Sequence, residues 1–177
     1  MTGSVDSAAA LRYNYIIMRI CAQAQRYANI RAGACGAKGV TMVKQIVSDT
    51  FFLSQPCEEA TDADMQVMID LADTLKANSE RCVGLAANMI GARKRIIALY
   101  AGPLLMVMVN PVMHKSSGSY ESEEGCLSLS GTRKVTRYRT IELEYYDMGF
   151  KHYRQTFSGW TAQIIQHELD HCNGILV

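Results

Sequence analysis

The stretch Gln166-His167-Glu168-Leu169-Asp170-His171, close to the last residue of a 177-residue chain, decides how the rest is read. Its two histidines stand at i and i+4, one turn apart on a single helix face, where both imidazoles reach one ion at about 2.0–2.1 Å. Glu168 lies about 100° round the helix from its neighbour His167, so it suits acid/base work better than ligation. Asp170 is placed to orient a neighbouring group. Half of the chain's four histidines are here. The pattern builds half of a metal site.

A catalytic site keeps three protein ligands and leaves the fourth position for water or substrate. Zinc peptidases with this motif take their third ligand from downstream. Here only Cys172-Asn173-Gly174-Ile175-Leu176-Val177 follow, and Cys172 points to a different helix face from His171. The third ligand is therefore expected upstream. Cys126 stands out because Glu123-Glu124-Gly125-Cys126-Leu127-Ser128 puts a thiol beside a glycine in a tight polar turn, where backbone approaches an ion closely. His114 and His152 lack such a setting. A thiolate binds a divalent metal strongly. Cys21, Cys35 and Cys57 read instead as small buried hydrophobes.

Working outward, the metal-bearing helix is expected to start at a Ser158 cap and to carry Trp160, Ile164, His167 and His171 along one side. Strand character marks Arg95 to Tyr100, Leu104 to Val109, Lys134 to Tyr138 and Ile141 to Tyr146. The separators are short and rich in Gly, Ser and Pro, which favours antiparallel pairing over crossovers of a dozen or more residues. Thr61 and Asp64 resemble a capping box for a helix over 62–78, with Met65, Met68, Ala72 and Leu75 as its apolar stripe. The fold class is α+β.

Hydrophobic residues make up 49% of the chain, enough for one domain with a sizeable core. The formal net charge is only +1, from 18 basic and 17 acidic residues, which argues against nucleic-acid or membrane binding. Six cysteines without a C-x-x-C pair point to a reducing, cytoplasmic setting. Residues 1–41 differ from the rest, with Arg12, Arg19, Arg26, Arg31 and Lys38 against the single acid Asp6. They read as a basic extension, helical over about 8–30. An organelle-targeting segment is the minor alternative, and an extension before a second start at Met42 is another.

Three segments in order, Gly84-Leu85-Ala86-Ala87-Asn88, Glu124-Gly125-Cys126-Leu127-Ser128 and Gln166-His167-Glu168-Leu169-Asp170-His171, resemble the three motifs of the peptide deformylase family. The resemblance covers about 42–177. It implies antiparallel β-sheets packed around the metal-bearing helix, and removal of the N-formyl group from the N-terminal methionine of new polypeptides. It makes Cys126, His167 and His171 the metal ligands, Glu168 the general acid/base acting on a metal-bound water, and the Leu127 N–H an oxyanion donor. The cofactor implied is one divalent metal, Fe2+ in cells, with Zn2+, Ni2+ or Co2+ able to take the same ligands. Val83 and Gly84 are expected to form the extended edge that pairs with the formyl-methionyl peptide.

The sequence departs from the family at Met89, where a glutamine amide normally helps to hold the oxyanion. A thioether offers no N–H donor. Cys82 stands where glycine is common, and Ser130 replaces a proline. No C-terminal helix follows the last motif, which counts against ribosome contact. Two competing readings are a non-catalytic relative that binds metal or formylated peptides, and a zinc peptidase.

Overall fold

The computed structural model describes residues 42–177, so the basic extension expected over 1–41 lies outside the described residues. Helix α1 spans Thr50–Leu53. A 3-10 turn over Asp62–Asp64 leads into α2, Met65–Ala77, with the Asp64 carboxylate accepting the Thr61 N–H at 2.8 Å. The strands are β1 (Gly84–Ala86), β2 (Ile96–Ala101), β3 (Leu104–Gly125), β4 (Thr132–Tyr146) and β5 (His152–Ser158). Helix α3, Gly159–Cys172, carries the two motif histidines.

All five strands join in one antiparallel sheet in the order β1-β2-β3-β4-β5. Each strand pairs with its neighbour in sequence, as the short separators predicted. β2 is buried on both faces, since Ile96, Ile97, Ala98 and Leu99 are all fully covered. That continuous apolar run is what a strand covered on both sides requires. Met68, Leu71, Ala72 and Leu75 of α2 and Ile165 of α3 are equally buried and complete the core.

Two features of the sheet exceed the sequence expectation. β3 does not stop near Val109 but runs to Gly125, with register shifts between Val109 and Val112 and between Met113 and Lys115. Asn110 marks the bend with φ +50, a left-handed conformation that Asn tolerates. Its side chain is tied on both sides, accepting the Ala60 N–H at 2.8 Å and donating to the Ala60 carbonyl at 2.9 Å. β5 is a further strand, with Tyr153 and Phe157 facing in. At its end Ser158 occupies the expected cap position, but its hydroxyl makes no cap bond. Gly159 at φ +61 turns β5 directly into α3, a conformation that glycine adopts without strain. No helix among the described residues is long and apolar enough to cross a membrane.

Candidate active site

The antiparallel hairpin of β3 and β4 delivers Cys126 immediately after Gly125, against the face of α3 that carries His167 and His171. The two imidazoles lie edge to face with centroids 5.1 Å apart. Cys126 Sγ is 3.1 Å from His171 Nε2, and the ligand atoms of Cys126, His167 and His171 all lie within 4.8 Å of one another. Sγ also accepts the Ser128 N–H at 3.4 Å. No other group of three ligand-type side chains converges in this way among the described residues. His114 and His152 take no part and sit together around Glu144.

A buried polar network orients this face of α3. His167 Nδ1 is 3.0 Å from Glu124 Oε2. A carboxylate only accepts, so Nδ1 carries the proton and Nε2 is left to face the cluster. Arg137 donates to both Glu124 oxygens, at 3.0 and 2.8 Å, and through Nη1 to Asp170 Oδ2 at 2.7 Å. Gln163 donates to Glu124 Oε1 at 2.7 Å. Burial acts to raise the Glu124 pKa, but these hydrogen bonds and the Arg137 charge outweigh it and bring it down to about 2. Removing Arg137 would leave the buried Glu124 carboxylate without its cation, and breaking such a buried pair typically costs about 3–5 kcal/mol. From the other side, Asn88 Nδ2 donates to the His171 carbonyl at 2.8 Å and fixes the last turn of α3.

The histidines are not equivalent. Burial, helped by the charge of His167, brings His171 down to about 3, so it is neutral. At His167 burial acts in the same direction, but hydrogen bonds to Cys126 and Glu124 and the charge of Glu168 prevail and raise it to about 10 in the protein alone. Glu168 is 3% exposed, and its Oε2 has no hydrogen-bond partner among the described residues. Burial is the first cause of its rise to about 7, with the nearby His167 charge opposing.

Gly84 explains how β1 comes so close to this carboxylate. A Cβ there would run into Glu168 Oε1 and lie 2.8 Å from Ile164 Cγ2. The sequence assigns Gly84 to the edge that pairs with a peptide; the structure shows that it also admits α3. β1 is an edge strand, paired only with β2. Beside it, Val83 is 39% exposed and its carbonyl accepts the Tyr100 N–H at 2.9 Å. A cleft of about 940 Å³ opens here, with Val83, Gly84, Met89, Leu127, Leu129 and Trp160 among its walls and His167 and Glu168 on its floor. Met89 is buried, and its sulfur accepts the Ala86 N–H at 3.4 Å.

Sequence reasoning thus named the residues that converge, and it anticipated an orienting role for Asp170. It missed Glu124, Arg137, Gln163 and Asn88 as the frame around them. The i, i+3 spacing of Asp170 from His167 was a signal, as was the acid in the segment before Cys126. Nothing in the sequence paired Arg137 with either.

Residues 43–177 match the polypeptide deformylase family model. A peptide deformylase of Clostridium beijerinckii is 57% identical over 136 residues, covering 77% of this chain and all of that protein. One from Pelotomaculum thermopropionicum is 38% identical over 113 residues, or 63% of this chain and 72% of the relative. Among solved structures, the Thermotoga maritima enzyme superposes with a TM-score of 0.69 at 23% identity, covering 76% of this chain and 95% of that one, a likeness of fold. An Acinetobacter baumannii class I type b peptide deformylase with Met-Ala-Ser bound gives 0.68 at 30% identity, covering 76% and 97%. The converging thiol and imidazoles, the buried carboxylate and these likenesses agree: the chain belongs to the peptide deformylase family, the metal-dependent hydrolases that remove the N-formyl group from new polypeptides.

Proposed function

We propose that residues 42–177 form the catalytic domain of an active, cytoplasmic deformylase in which Cys126, His167 and His171 hold one divalent ion and Glu168 moves the proton. The observation that carries this reading is the convergence of one sulfur and two imidazoles within 4.8 Å, beside a buried carboxylate at the floor of the cleft. The donor set fits an intracellular divalent metal, because His171 is neutral and His167 is turned by Glu124 so that Nε2 faces the thiol. Ferrous iron is the ion proposed. Cys126, His167 and His171 would hold it, and the chemistry supplied there would be Lewis acidity toward a carbonyl oxygen or a water.

The chain's own groups do the rest. Glu168 takes the proton from the attacking water and hands it to the departing amine, and a carboxylate raised to about 7 by burial suits both transfers. The Leu127 N–H donates to the developing oxyanion. Val83 and Gly84, on the open edge, pair with the peptide backbone as an added strand would. The Acinetobacter structure holds Met-Ala-Ser, the peptide left after deformylation, which supports formyl-methionyl peptides as substrates. Met89 lines the same cleft but brings no donor N–H.

Formate release from formyl-Met-Ala-Ser by anaerobically iron-loaded protein tests the proposal. Wild type turns over, while Glu168→Ala retains metal and loses about 10²–10⁴-fold in kcat, the usual worth of a positioned acid/base. Absence of turnover by the loaded wild type overturns it. The Met89 sulfur, engaged by the Ala86 N–H, favours one alternative, a peptide binder without turnover in which Met89→Gln restores hydrolysis.

A further inference from the structure

A second pair of sulfurs lies outside the cleft. Cys57 sits between α1 and α2, and its N–H donates to the carbonyl of Cys172, the last residue of α3, at 2.9 Å. The next residue, Glu58, bridges to Lys94 through Glu58 N–H to Arg93 carbonyl at 3.0 Å and Arg95 N–H to Glu58 carbonyl at 2.8 Å. Cys57 is therefore fixed on both sides. The Cys172 thiol is the first cause that lowers the Cys57 pKa, and both cysteines are free. Two residues joined by a direct backbone hydrogen bond have Cα atoms within the roughly 4.4–6.8 Å that a disulfide spans. Cys57 is partly exposed, whereas Cys172 is fully buried. Arg95 stands beside them, donating to Asn173 Oδ1 at 2.9 Å.

We propose that Cys57 and Cys172 are a reactive dithiol, a modification site for low-molecular-weight disulfides in which Cys57 attacks and Cys172 resolves. Exposure sets the order, because only Cys57 can meet an external reagent. Its pKa is lowered first by the hydrogen bond from Cys172 and then by the charges of Arg95 and Arg93, against burial, which favours the attacking thiolate. In the first step Cys57 Sγ attacks one sulfur of RSSR, its proton having left, and RS⁻ departs as RSH. Cys172 Sγ then attacks Cys57 Sγ, the second RS⁻ leaves, and the Cys172 proton goes to it. Two thiols and RSSR give one internal disulfide and two RSH. The bond would tie the segment before Glu58 to the end of α3, next to His171.

Full-length, nickel-loaded protein is treated with oxidised glutathione, and its cysteines are mapped by peptide mass spectrometry. The expected result is a Cys57–Cys172 cross-link, two hydrogens lighter than the dithiol, with no glutathione kept at either residue. Cys172→Ala should stop at a stable Cys57–glutathione adduct, and Cys57→Ser should show neither cross-link nor adduct at Cys172. If Cys172→Ala does not fold, the Cys57→Ser result decides alone. Stable glutathione on Cys57 of the wild type, a Cys172 adduct in Cys57→Ser, or no reaction at Cys57 while Cys82 is modified each overturns the proposal.

Discussion

The four described histidines form two pairs, each with a glutamate beside it, and the two arrangements differ in where the carboxylate stands. Glu144 lies between His114 and His152, one oxygen to each, at 2.7 and 2.9 Å, with side chains 32–50% exposed. Glu124 touches only one histidine of its pair, His167 at 3.0 Å, and does so from outside, where Arg137 holds it. In the first arrangement both imidazoles spend their Nε2 on the carboxylate, in a setting where water screens the charges. In the second the carboxylate fixes Nδ1 and frees Nε2 for the Cys126 side. The same residue types thus make a surface cluster in one place and a convergent donor set in the other. What separates them is which side the acid approaches from, and burial.

The largest effect that can break this comparison is removal of one imidazole from each pair. His171→Ala should lose its metal and at least about 10³-fold in formate release, the scale of lost electrostatic stabilisation, whereas His152→Ala should keep both. Equal losses, read by metal analysis and assay, would erase the distinction. Next comes packing, which only the α3 pair depends on. Gly84→Ala pushes a methyl group against Glu168, and a displacement of about 1 Å near the chemistry costs about 10²-fold, so kcat should fall by that much while metal content holds. Normal kcat would show that the close fit of β1 to α3 is dispensable. The smallest effect sharpens the role of the two acids. Glu124→Gln should weaken metal binding about 10–100-fold, as loss of an orienting partner does, and Glu144→Gln should leave it unchanged in a competitive chelator titration.

Legibility in the sequence followed the strength of periodic signals. The i, i+4 histidines and the Met68, Ala72, Leu75 stripe located α3 and α2 because helix geometry repeats over several turns. The apolar runs of β2 and the start of β3 were equally plain. The second half of β3, His114 to Gly125, was not, because its residues are mostly polar and exposed and its strand state comes from pairing with β4. β5 was missed for a similar reason: only Tyr153 and Phe157 of seven residues face the core. In the site, His167, Glu168 and His171 were readable as a local pattern, and Cys126 from the glycine turn that precedes it. The Arg137 network was not, since its members come from β3, β4 and α3 and only folding brings them within reach. Cys57 read as a buried hydrophobe, whereas it is partly exposed and paired with Cys172.

The three donors come from two separate parts of the fold, the end of β3 and the last turns of α3. An unfolded chain does not hold them together, so an ion at this site would favour the folded state. By mass action it then adds to the free energy of unfolding, about 2.7 kcal/mol at a free concentration 100 times its dissociation constant. With the proposed ligand set, thermal tolerance is expected to follow metal supply, and a chelator to lower the melting temperature as well as inhibit.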